Sequence, residues 1–150
     1  MTIEGLFSAC NLIAMAGWIL LLAVPKSRRA MTIAGTVIPL LLAAVYLAVF
    51  VLNVRGSRGG FSSLAGVAEL FDNHWLLLAG WVHYLAFDLF IGAWETRDAI
   101  ARRVPWLLLA PCLVMTFMLG PIGLLGYHLC RIRFHQPLDQ APPAPLRPAQ

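Results

Sequence analysis

The sequence predicts an all-α membrane protein: a four-helix transmembrane bundle with a short interfacial helix between spans two and three. Three observations predict it. The chain of 150 residues is 60% hydrophobic and 12% charged, against about 45–50% apolar and about 25% charged in soluble domains. Four apolar stretches reach the roughly 20 residues that an α-helix needs to cross a hydrocarbon core at about 1.5 Å per residue. None of them alternates apolar and polar residues with the period of two that lipid-facing barrel strands show, which leaves helices. The length suits one membrane domain, residues 1–135. The 11 Lys and Arg against 7 Asp and Glu cluster between apolar runs instead of forming a continuous basic face, which argues against nucleic acid as a partner. Membrane lipids are the expected surroundings, and a bacterial inner membrane the expected location.

The four spans fall at Leu6 to Val24, Ala30 to Leu52, Trp75 to Trp94 and Val104 to Cys130. A secretory signal would open on a basic segment, and the charge that precedes Lys26 is Glu4, so the first run reads as a retained helix. Lys26, Arg28 and Arg29 follow Pro25 directly, and a basic cluster against a helix end favours the cytoplasmic side. With four spans, however, Lys26, Arg28, Arg29, Arg97, Arg102 and Arg103 share one side, and Arg55, Arg58, Arg131, Arg133 and Arg147 the other. That difference is too small to orient the chain.

Between spans two and three, Arg55 to Gly60 is a polar, glycine-rich turn. Phe61, Leu64, Ala65, Ala68 and Phe71 then recur at helical spacing, the mark of an amphipathic helix lying at the interface. Ser62 or Ser63 is its expected N-cap and Asp72-Asn73 its expected stop. Glu69 lies roughly 120° from the apolar face of that helix and reads as solvated. Residues 136–150 hold five of the ten prolines and one large apolar type, and are expected to be a disordered tail.

The ionisable residues of the third span carry the strongest chemical signal. A carboxyl near mid-membrane costs roughly 2.5–3.5 kcal/mol on insertion scales, so Asp88 requires a partner or a purpose. At 100° per residue Trp81, Tyr84, Leu85, Gly92 and Glu95 share its face, and Tyr84, one turn away, is placed to donate to it. His83 falls about 140° around the helix and about 7.5 Å along it, a poor arrangement for joint ligands of one metal ion. The two would flank a long substrate or point to different neighbouring helices. Against these readings stand structural ones: Asp88 as a neutral acid bonded to Tyr84 or to the carbonyl freed by Pro121, and His83 as an interhelical bridge.

Asn11, the strongly polar residue of the first span, reads as interhelical glue or a ligand contact. Trp75, Trp94 and Trp106 lie at span ends and read as interfacial anchors. His74, His128 and His135 fall near helix ends and read as interfacial too. Trp81, Tyr84, Phe87 and Phe90 lie deeper, where they either pack or line a groove for a flat or polyene ligand. Pro111 and Gly120-Pro121 interrupt the fourth span; a carbonyl freed by Pro121 must find a partner inside the bundle, so Gly120 and Pro121 face protein or a ligand. Cys10, Cys112 and Cys130 show no paired spacing and read as small packing residues, with no metal site implied.

The run Gly80-Trp81-Val82-His83-Tyr84-Leu85-Ala86-Phe87-Asp88-Leu89-Phe90, followed by Leu119-Gly120-Pro121-Ile122-Gly123-Leu124-Leu125, resembles the neoxanthin-synthase-like membrane proteins, a family named for the abscisic-acid-deficient plant protein. The resemblance runs from about Asn11 to about Arg131, and Trp-x-His-x-x-x-x-Asp-Leu-Phe is its most specific part. It implies a four-helix integral membrane protein and, for the plant branch, isomerisation of an epoxy-carotenoid to an allenic carotenoid. That conversion is redox-neutral and needs a base and an acid but no redox cofactor, and Asp88 and His83 are the acid-base pair on offer. A carotenoid or related isoprenoid is then the expected ligand, with no cofactor. Two further readings stand beside it. One is a non-catalytic accessory or assembly subunit whose polar residues only join helices. The other is a proton-coupled carrier using Asp88, which would need a homo-oligomer because four spans without a repeat offer little machinery for alternating access.

Overall fold

A computed structural model describes residues 2–134 of the chain, so the tail expected at 136–150 and His135 lie outside the described residues. The described residues form α1 (Ile3–Ala23), α2 (Arg28–Thr32), a π-helical segment (Ile33–Val37), α3 (Ile38–Val54), α4 (Leu64–Phe71), α5 (His74–Arg102), α6 (Trp106–Leu119) and α7 (Pro121–Arg131), with a closing 3-10 turn (Ile132–Phe134). No strand occurs among them. The helix starts follow capping chemistry: Thr2, Ser27, Ser63 and Asn73 accept hydrogen bonds from the first-turn amides of α1, α2, α4 and α5. Ser63 is thus the cap of the short helix expected between spans two and three, and Asp72 closes it.

Three helices are long and apolar enough to cross a membrane: α1, the run Arg28–Val54 that joins α2 to α3, and α5. The joined run is not regular. Pro39 has no N–H to donate to Gly35 O four residues back, and the π turn over Ile33–Val37 absorbs the mismatch where a straight helix would break. Helix α5 is longer than expected from its apolar core, running 29 residues and eight beyond Trp94. It continues through Arg97, Asp98 and Arg102 because Asp98 and Arg102 pair across one turn, at 2.9 Å. It stops at Arg103, whose left-handed φ of 57° leads into Pro105.

The expected fourth span, Val104 to Cys130, is not one span. Helix α6 has 14 residues and α7 has 11, about 21 Å and 16 Å of rise against a core of about 30 Å. The two arms fold back on each other. In a continuous helix Thr116 and Gly123 would stand about 10.5 Å apart along the axis; here a Cβ on Gly123 would strike the backbone of Thr116, and one on Gly126 would stand 4.0 Å from Cys112 Sγ. The reversal is made at Gly120, with φ of 37° and ψ of −90°, followed by Pro121, which starts α7 and lacks the N–H a continuing helix would use. The result is a helical hairpin that enters and leaves at one end of the bundle.

Helix α5 is the axle of the fold. Its buried Val82, Leu85, Leu89 and Ala93 form one core with Trp18 and Leu21 of α1, Ile38 and Leu42 of α3 and Leu113 of α6. Glycines let the backbones close up: a Cβ on Gly17 would lie 2.5 Å from Leu89, and one on Gly92 2.5 Å from the Trp18 ring. The outward faces remain apolar, with Leu12, Leu52 and Leu107 at 72%, 80% and 84% exposure. Such surface is stable against lipid tails and not against water.

Candidate functional site

The residues singled out from sequence fall on two flanks of α5. On one flank, Trp81 Nε1 donates to Asn11 Oδ1 at 3.2 Å, and Asn11 Nδ2 donates to Phe7 O at 2.7 Å. Asn11 therefore ties α1 to α5. One turn on, the Tyr84 hydroxyl donates to Phe117 O at 2.9 Å. Phe117 lies four residues before Pro121, so this is the carbonyl the proline leaves without a donor. Tyr84 meets it, where the sequence offered Asp88 as a partner as well.

Asp88, another turn along, stands at the hairpin tip. A Cβ on Gly120 would lie 2.8 Å from Asp88 Oδ1 and 3.2 Å from Oδ2, so only glycine admits the carboxyl this close. Asp88 is 7% exposed, and its Oδ2 has no hydrogen-bond partner among the described residues. It is the fifteenth residue of the 29-residue α5, hence at mid-helix. The tip also presents the start of α7, whose Ile122 and Gly123 amides lie before the first intrahelical bond, Leu124 N–H to Gly120 O at 3.1 Å. A buried acceptor and the glycine turn between α6 and α7 thus meet, with the Tyr84 phenol one turn away along α5.

His83 is on the other flank. It stacks on Phe87 with ring centroids 4.5 Å apart and tilts against Tyr46 of α3 at 5.6 Å. Together with Tyr46, Phe50, Phe61 and Phe71 it lines a cavity of about 260 Å³. A larger groove of about 590 Å³ opens on the Trp81 flank, bounded by Ile3, Glu4, Phe7, Phe71 and His74. Phe71 and Gly80 border both spaces, so α5 and the end of α4 form the wall between them. The structure brings Asn11, Trp81, Tyr84, Asp88, Gly120 and Pro121 onto one flank. It leaves His83 and Phe87 on the other.

Two further carboxylates matter: Glu95, which the helical spacing places on the Asp88 face, and Asp98, for which the sequence pattern suggests no role. Glu95, seven residues after Asp88 on the same face, is fully buried, and both its oxygens accept from Thr116 Oγ1 at 3.0 Å. Asp98 accepts from the Tyr127 hydroxyl at 2.6 Å and pairs with Arg102 and, at 3.5 Å, with Arg131. Trp94 adds to this clamp by stacking on His128 and lying under the Arg131 guanidinium, 5.3 Å from its ring centroid. Its contacts therefore join α5 to α7. The seven-residue spacing of Trp81, Asp88 and Glu95 puts Glu95 on the Asp88 face in the sequence too, but its partner Thr116 lies 21 residues away on α6 and only the fold brings it there.

Residues 5–127 match the family model described as ABA4-like, ABA DEFICIENT 4-like. No curated protein and no solved structure matches the chain.

Proposed function

We propose, for a chain that belongs to the ABA4-like membrane protein family, that it binds a carotenoid or related isoprenoid in the membrane and acts on it by proton transfer at Asp88. One observation carries this reading: a carboxyl 93% buried at mid-helix keeps Oδ2 unpartnered among the described residues, beside a helix break that only glycine permits. A purely structural carboxyl is expected to satisfy both oxygens, since an unpaired buried acceptor costs about 1–3 kcal/mol. The groove on the Trp81 flank is walled mainly by apolar and aromatic side chains that suit a polyene, with Glu4 and His74 also lining it, and Trp81 in its wall lies two turns of α5, about 10.5 Å, before Asp88.

In an isomerisation that opens an epoxide and forms an allene, a proton leaves carbon and one reaches the epoxide oxygen, so no electron acceptor is consumed. Asp88 is assigned the base. The carbon that loses the proton and the epoxide oxygen that gains one are only two bonds apart, so His83, packed against Tyr46 on the far flank of α5, does not serve the same epoxide, and the Asp88 carboxyl returns the proton it took to the oxygen. Tyr84, one turn before Asp88 on the same face of α5, orients the site through its bond to Phe117 O.

The test is a visible absorption spectrum of the protein purified in mild detergent from a carotenoid-producing host, with chromatography of the extract. A stoichiometric pigment, displaced by Trp81→Ala and no longer converted by Asp88→Asn, is the expected result. Turnover unchanged in Asp88→Asn would remove the acid-base assignment. The accessory-subunit reading draws on the bonds of Trp81, Tyr84, Glu95 and Asp98, each of which joins two helices. It predicts instead a colourless protein in which Asp88→Asn lowers the unfolding temperature.

A further inference from the structure

The two ends of the bundle carry opposite charge balances. An Arg97 guanidinium nitrogen near the end of α5 donates to Met31 O in α2 at 3.3 Å, and Asp98 meets Arg131 at the end of α7. The start of α2, the end of α5 and the end of the hairpin therefore lie at one end. That end gathers Lys26, Arg28, Arg29, Arg97, Arg103 and Arg133, all exposed and none paired with a carboxylate among the described residues. Arg102 and Arg131 lie there too, and both turn to Asp98, the acidic residue of that end among the described residues. At the other end Arg55 and Arg58, beyond α3, are outnumbered by Glu4, Glu69 and Asp72. Asp88 and Glu95 lie buried between the two.

From this juxtaposition we propose that the cationic end is a docking surface for the anionic phospholipid headgroups of the cytoplasmic leaflet, completed when the α6–α7 hairpin returns Arg131 and Arg133 to it. A chain crossing four times would place those two residues at the opposite end and leave the charges almost even. With three crossings and a re-entrant hairpin, eight described Lys and Arg stand against two. That bias lies within a few residues of the helix ends, where Lys and Arg set orientation. Six unpaired cations on one rim match the field of an anionic leaflet, which attracts each juxtamembrane cation and fades within a Debye length.

The experiment uses the full chain, purified in mild detergent, with phosphatidylglycerol and phosphatidylcholine as probes. Retention of each lipid is read by mass spectrometry of the intact complex. Phosphatidylglycerol is expected to be retained in preference, and to weaken about fivefold for each cation removed in Lys26→Gln, Arg28→Gln and Arg29→Gln. About 1 M salt, where the Debye length is about 3 Å, should abolish the preference. Equal retention of the two lipids, or indifference to the triple substitution, overturns the surface.

Orientation is read separately, so that a poorly folding triple variant does not decide the matter. Ser57→Cys and Phe134→Cys are each probed with a membrane-impermeant maleimide in intact bacterial cells, against the chain's own three cysteines as background. Ser57→Cys should label at once and Phe134→Cys only after permeabilisation. Labelling of both from outside, or of neither before permeabilisation, overturns the re-entrant placement, and labelling of Phe134→Cys alone overturns the cytoplasmic assignment of the cationic end.

Discussion

Asp88 and Tyr84 divide the work at the hairpin tip, and their substitutions should behave differently. Tyr84→Phe leaves Phe117 O without its donor and should destabilise the protein by about 1–3 kcal/mol, read as a lower midpoint on titration with a denaturing detergent. Asp88→Asn keeps the shape of the side chain and offers a donor as well as an acceptor. Under the proposed function it ends turnover and leaves that midpoint near the wild-type value. Gly120→Ala combines two penalties, a positive φ and a Cβ 2.8 Å from Asp88 Oδ1. It should cost roughly 1–3 kcal/mol and displace the carboxyl, so that stability and ligand retention fall together.

At the scale of elements, the hairpin is fastened at both ends. Its tip is held by Tyr84 and fits against Asp88; its open end is held by Asp98, Tyr127, Arg131 and the Trp94 ring. Asp98→Asn removes the charge that Arg102 and Arg131 share, and a hydrogen bond to a charged group contributes about 1.5–3 kcal/mol. The expected outcome is faster hydrogen exchange at the amides of α7, with α1 and α3 unchanged. Exchange rising equally across all helices would show that Asp98 supports the bundle as a whole and not the hairpin. Between the arms, Gly123 is the close-approach point, and Gly123→Val should force α6 and α7 apart, because its side chain would meet the Thr116 backbone. Loss of the Glu95 to Thr116 bond should accompany that separation.

For the whole molecule, the sequence by itself determined the class. Composition and apolar run lengths made the protein helical and membrane-embedded, since only helices and closed barrels satisfy their backbone in lipid. The third span and its ionisable residues were legible too, because a carboxyl in an apolar run is costly wherever its partners lie. The short helix Leu64–Phe71 was visible in its periodicity and its Ser63 cap, both local properties.

Only the tertiary structure decided the rest. Val104 to Cys130 has the length and composition of a span, and Gly120-Pro121 is compatible equally with a kink and with a reversal. Which one occurs depends on contacts with α5 that no local signal encodes: Asp98 with Tyr127 and Arg131, and Tyr84 with Phe117. The same holds for His83 and Asp88. Their angular separation could be counted from sequence, but whether one ligand or two neighbours filled the faces could not. Helix α3 took one face and the hairpin tip the other, because packing against a partner, and not periodicity, fixes what each face of a helix meets.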